Sequence, residues 1–230
     1  MFWILFIGVF ALSMWVSWRF RSKFQKYSQV PNPMGLTGAE IARQMLNEHG
    51  LEDVKVLSTP TMLGDHYNPI KKTVNLSPDV YSSRSVAAAG VAAHECGHAL
   101  QHAFGYAPLK LRTALVPVQA ASAKILNIVL LVSFLGGFIV FKMIPIQLVL
   151  LIIVATYSVL TLFSFVTLPV EFDASKRAVE WLKQRYQLDG PALTYTQDAL
   201  KWAAMTYVVA ALSSLVGLLY YLSLLMGRRD

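Results

Sequence analysis

Residues 92–102 read AAHECGHALQH, with His94, His98 and His102 spaced four apart around Glu95. On a helix, side chains at i and i+4 share one face with Cα atoms about 6 Å apart, so the imidazoles of His94 and His98 can converge on one ion. Glu95, next to the first of them, can reach a water beside such an ion and serve as general base. The flanks support a helix: Ser83 or Ser85 offers an N-cap, a small-residue run from Ala87 to Ala93 follows, and Gly105 comes just after Phe104. An alanine-rich helix buried among other elements is a costly place for unpaired His and Glu side chains, which argues for a shared metal.

A third ligand is needed. His102 continues the same face, but i to i+8 spans about 12 Å along a straight helix, too far for one ion, and Ala99-Leu100-Gln101 contains no glycine to turn the chain back. His102 is left as a residue that orients a ligand, touches substrate, or is simply a satisfied histidine. The other carboxylates near enough in topology are Glu171 and Asp173, in the run PVEFDASKR that begins at Pro169. These are also what the first turn of a helix starting at Pro169 would carry.

The chain around this motif is built for a membrane. Of its 230 residues 55% are hydrophobic and 14% charged, and mean hydropathy is +0.49. Apolar runs at 2–18, 116–141, 145–168 and 203–226 read as spans, the middle two forming a hairpin turned at Phe141-Lys142-Met143-Ile144-Pro145. Residues 2–18 lack a basic stretch ahead and a small-residue cleavage pattern behind, so they read as an anchor and not a signal peptide. The segments 19–115 and 169–202 carry 11 and 5 Lys/Arg, against 3 at Lys142, Arg228 and Arg229 and one at Lys124 within a span. By the positive-inside rule both segments are cytoplasmic and both termini outside, which also returns Glu171 to the side of the histidines. Lys124 is expected to snorkel. The net charge of +7 comes from residues flanking apolar spans and not from a basic stripe, so nucleic acid is not an expected partner; the lipid bilayer is. Cys96 is the single cysteine and excludes an internal disulfide; it points away from the histidine face and reads as packing.

Within 19–115, Thr37-Gly38-Ala39-Glu40 has the form of a capping box opening a helix that stops at Gly50. Val54–Leu57 and Lys72–Leu76 alternate apolar and polar residues, which predicts a β-hairpin across Thr59–Ile70 with Asp65 to Pro69 at its tip. Ser77-Pro78-Asp79 then breaks the strand.

HECGHALQ, preceded by NLSPDVYSSRSVAAAGVAAHE and followed by a hydrophobic hairpin leading to LPVEFDASKRA, resembles the YugP-type family of membrane neutral zinc metallopeptidases over nearly the whole chain. More distantly it is similar to membrane-embedded zinc proteases of the HtpX type, which join an HExxH helix to a later E-x-x-x-D segment. The resemblance implies a mainly α membrane protein of four transmembrane helices with a small cytoplasmic α+β zincin-like domain of gluzincin type. It implies one zinc held by His94, His98 and Glu171, with Glu95 as base. Ser175 stands where the distant relatives have an aspartate, so Asp173 or another group would have to orient the ligand histidine. It also implies an extended substrate laid along an edge strand, for which Lys72–Leu76 is the candidate, with Asn75 as a residue that would touch substrate. The expected function is a zinc-dependent endopeptidase of a bacterial cell membrane, acting at the cytoplasmic face on membrane-associated or misfolded polypeptides. The alternative is a scaffold or adaptor whose metal is structural.

Overall fold

A computed structural model describes residues 2–60 and 64–227. The side chains of residues 2–3 and 136–143, Lys142 among them, lie outside that description, as do Arg228 and Arg229. The elements in chain order are α1 (Phe2–Ser28), α2 (Gly38–Glu48), β1 (Lys55–Ser58), β2 (His66–Asn68), β3 (Thr73–Leu76), α3 (Pro78–Tyr81), α4 (Val86–Ala103), α5 (Ala107–Met143), α6 (Ile146–Tyr186) and α7 (Gly190–Met226). Four of these helices, α1, α5, α6 and α7, are long and apolar enough to cross a membrane. Pro145 immediately precedes α6, and its carbonyl accepts from the Leu148 and Val149 amides.

The chain divides into two compact units. One comprises 1–14, 111–168 and 207–230. Its core is Leu126, Val149 and Ile153 with Tyr157, Leu160 and Tyr221 around them, and the Tyr157 and Tyr221 rings stack at 5.5 Å. Gly217 lies against the Tyr157 ring, where a Cβ would come within 2.4 Å of it. Large apolar side chains such as Ile4, Phe10, Phe134 and Leu135 stay exposed, a surface suited to hydrocarbon.

The other unit comprises 15–110 and 169–206 and holds the motif. Its helices extend well past the apolar runs. Residues 169–186 stay helical because Val170, Ala174, Ala178 and Leu182, all fully buried, recur at every fourth position and give a polar segment a continuous apolar stripe. Pro169 sits inside α6, not at a helix start, so Glu171 and Asp173 are mid-helix residues and their reading as first-turn carboxylates is incorrect. The core joins α2, β3, α4 and this part of α6 through Ile41, Met45, Leu76, Ala92, Cys96, Ala178 and others. Cys96 is fully buried, its thiol facing the Ala42 carbonyl. The capping box at Thr37 and Glu40 forms, worth about 1 kcal/mol to α2.

The sheet departs from the expected hairpin. β1 pairs with β3 in parallel, Lys55 opposite Thr73 through Ser58 opposite Leu76, and β2 pairs antiparallel with the other side of β3. The order is therefore β1-β3-β2, with β3 central. Residues 66–68, placed at the tip from sequence, are a strand; the tight turn comes after them, where Asn68 Oδ1 accepts from the Ile70 and Lys71 amides. The reason is burial: Thr73, Val74 and Leu76 are buried, which a central strand satisfies and an edge does not. Lys72–Leu76 is thus not an edge strand, correcting its candidacy as the substrate edge.

Candidate metal centre

Ser85 caps α4, its hydroxyl accepting from the Ala88 amide, and the helix carries His94, Glu95 and His98 into the packed interior. Ala174 of α6 crosses α4 at Gly97, where a Cβ would sit 2.6 Å from the Ala174 carbonyl oxygen. Glycine is therefore the residue that lets the two helices approach this closely, and that approach brings Glu171 to the histidines.

Glu171 is buried, and one carboxylate oxygen, Oε2, lies 3.4 Å from His94 Nε2 and 3.6 Å from His98 Nε2. One ligand atom from each of the three residues falls within 4.8 Å of the others. With metal–ligand distances of about 2.0–2.1 Å, a tetrahedral zinc needs ligand atoms about 3.3 Å apart. The oxygen-to-nitrogen spacings match that edge length, and two imidazoles with a carboxylate are a donor set suited to zinc. Among the described residues this group has three members, which leaves a fourth tetrahedral position.

The far side of each imidazole is held differently. His98 Nδ1 is 3.0 Å from Gln101 Oε1, and Gln101 Nε2 donates to the Val170 carbonyl at 2.7 Å and to Asp173 Oδ2 at 2.8 Å. Both of those partners are acceptors, so the amide nitrogen faces them and the amide oxygen faces His98. His98 must then donate from Nδ1, which leaves the Nε2 lone pair for a metal. Arg177 Nε closes the chain on Asp173 Oδ2 at 2.6 Å. His94 Nδ1 has Ser175 Oγ at 3.1 Å, so its partner is a serine hydroxyl. Burial pulls the His98 imidazole down, but the hydrogen bond and charge of Glu171, with the charge of Glu95, outweigh it and hold His98 above its ordinary value.

The remaining sequence candidates separate. Glu95 is buried on α4 beside His94. Asp173 reaches His98 through Gln101, as just described. His102 is not in the ligand group; its Nδ1 meets the Tyr67 hydroxyl of β2 at 2.9 Å. Asn75 turns back into the sheet, donating to Thr73 Oγ1 at 2.9 Å and to the carbonyls of Thr73 and His66. Gln101 was missed from the sequence, although its i+3 placement after His98 puts it on the same face and a fully buried amide needs partners.

A pair of imidazoles and a carboxylate at zinc spacing makes a group that could hold a metal ion. The whole chain agrees: residues 2–226 match the family described as "Putative neutral zinc metallopeptidase", and the chain belongs to that family. It is also 38% identical over 230 residues, covering 100% of this chain and 99% of the relative, to the Bacillus subtilis (strain 168) protein named "Putative membrane protease YugP". No solved structure matches.

Proposed function

We propose that the protein is a zinc-dependent endopeptidase of a bacterial cell membrane, with His94, His98 and Glu171 holding the ion. The observation that carries this reading is the 3.4 Å and 3.6 Å approach of Glu171 Oε2 to the Nε2 atoms of His94 and His98, residues 77 and 73 positions earlier in the sequence. A zinc ion there supplies Lewis-acid polarisation of the scissile carbonyl and acidifies a water. The chain's own residues do the rest. Glu95 takes the proton from the attacking water and returns it to the leaving amine nitrogen. Gln101 and Ser175 hold the two imidazoles in the orientation that presents Nε2, and Asp173 with Arg177 fixes Gln101.

Three ligands and a remaining position favour a catalytic over a closed structural site, which weighs against the scaffold alternative. β2 is an edge strand whose Tyr67 meets His102 of α4, so an extended polypeptide joining that edge would run beside the motif helix. The excess of Lys and Arg in 19–115 and 169–202 favours a cytoplasmic site, and a site carried beside apolar, membrane-type helices would have membrane-associated or misfolded proteins within reach as substrates. The test is Glu95→Gln, assayed for cleavage of an unfolded protein with zinc content measured alongside. Activity at background with zinc retained is expected; undiminished cleavage would remove Glu95 as the base.

A further inference from the structure

A groove of about 490 Å³ runs between α6 and α7. Its floor is apolar, with Phe172 half-exposed and Leu200 and Ala204 buried, and its rim carries Lys176, Lys183 and Lys201. The one carboxylate among its lining residues, Glu180, is 3.8 Å from Lys176, so Lys183 and Lys201 are left to face an incoming anion. Phe172 comes four residues after Leu168, where the apolar unit ends on α6, and Ala204 three residues before Tyr207, where it resumes on α7. The groove therefore lies along the chain next to the point where apolar sequence gives way to polar sequence.

We propose that this groove lies at the level of lipid headgroups and binds an anionic phospholipid, its phosphate between Lys183 and Lys201 and the upper part of an acyl chain along Phe172, Leu200 and Ala204. Two cations beside an apolar floor complement a molecule with one anionic end and one hydrocarbon end, and basic pockets between helices at a membrane surface recognise such headgroups. An apolar floor next in sequence to the apolar runs also favours a lipid over a soluble acidic peptide. The ligand histidines and Glu171 are not among the groove's lining residues, so the lipid occupies a place separate from the metal centre. Ser175 does line it, and Ser175 Oγ lies 3.1 Å from His94 Nδ1, so an occupied groove is one side chain away from a candidate zinc ligand. The proposal does not depend on the peptidase reading.

The full-length protein in detergent is titrated with phosphatidylglycerol and, separately, with phosphatidylcholine of the same chains, and bound lipid per chain is read by native mass spectrometry. Retention of phosphatidylglycerol at concentrations where phosphatidylcholine is lost is expected. Each lysine contributes about fivefold at such a surface, so Lys183→Gln with Lys201→Gln should weaken retention roughly 25-fold, against less than about twofold for the control pair Lys55→Gln with Lys71→Gln. Equal effects of the two pairs, or equal binding of both lipids, would overturn the proposal. So would displacement of the lipid by millimolar inorganic phosphate, which would make this a plain anion site, or by an acidic apolar peptide, which would make it a substrate subsite. If the double variant does not fold, a phosphatidylglycerol with a photoreactive acyl chain is crosslinked to the wild-type protein. Adducts within 172–183 or 197–204 are then expected, and adducts confined to other segments would overturn the assignment.

Discussion

The regions behind the two motif histidines are built on different principles. Behind His98 stands a chain of fixed partners, Gln101, Asp173 and Arg177, running from a fully buried amide to a charged pair. Behind His94 stands a single hydroxyl, Ser175, that can rotate and can donate or accept. Both imidazoles face the same carboxylate, yet the tautomer of one is dictated by its neighbours and the tautomer of the other is not. The difference teaches that a two-histidine motif can be rigid on one arm and adjustable on the other even though both arms are tied to α6, the helix that also supplies Glu171: His98 reaches it through the Gln101 amide, His94 through the Ser175 hydroxyl alone.

Three variants break or sharpen that contrast. Gly97→Ala acts on both arms at once, because its Cβ would push on the Ala174 carbonyl and move α6 with Glu171, Asp173 and Ser175 together. It should lower stability by about 1–3 kcal/mol and remove most bound zinc, read by thermal unfolding and by metal analysis of the purified protein. Gln101→Leu removes only the rigid arm, leaving His98 Nδ1 and Asp173 without their shared amide. Zinc affinity should fall about 10–100-fold, measured by competition with a chelator. Ser175→Ala removes only the adjustable arm and should cost less than Gln101→Leu in the same competition, since a lone neutral hydrogen bond contributes about 0.5–1.5 kcal/mol. An effect of Ser175→Ala as large as that of Gln101→Leu would erase the distinction between the arms.

Much of this was legible before any coordinates, and the exceptions have physical causes. Hydropathy located the four apolar runs, while the helices that hold them run further, α1 to Ser28, α5 from Ala107, α6 to Tyr186 and α7 from Gly190; on α6 the extension rests on the stripe of Val170, Ala174, Ala178 and Leu182, a helical signal carried largely by small residues in a polar segment. The strands around Val56 and Val74 were visible from alternation, while their parallel pairing was not, since the intervening strand His66–Asn68 is only 3 residues long and half polar. For the site, spacing alone singled out His94, Glu95 and His98, and helix length set His102 aside. Glu171 needed topology as well, because its partners lie a full apolar hairpin away. Gln101 and Gly97 stayed hidden for a different reason: each acts through close contacts with α6, and no periodicity within α4 encodes which helix packs there.

The account turns on which residue completes the ligand set, and bound zinc per chain in Glu171→Ala and His102→Ala, set against the wild type, addresses that choice directly. Glu171 has its oxygen at ligand spacing from both imidazoles, whereas His102 is engaged with Tyr67. The predicted result is near-stoichiometric zinc in the wild type and in His102→Ala and near-complete loss in Glu171→Ala. Zinc retained in Glu171→Ala and lost in His102→Ala would contradict it.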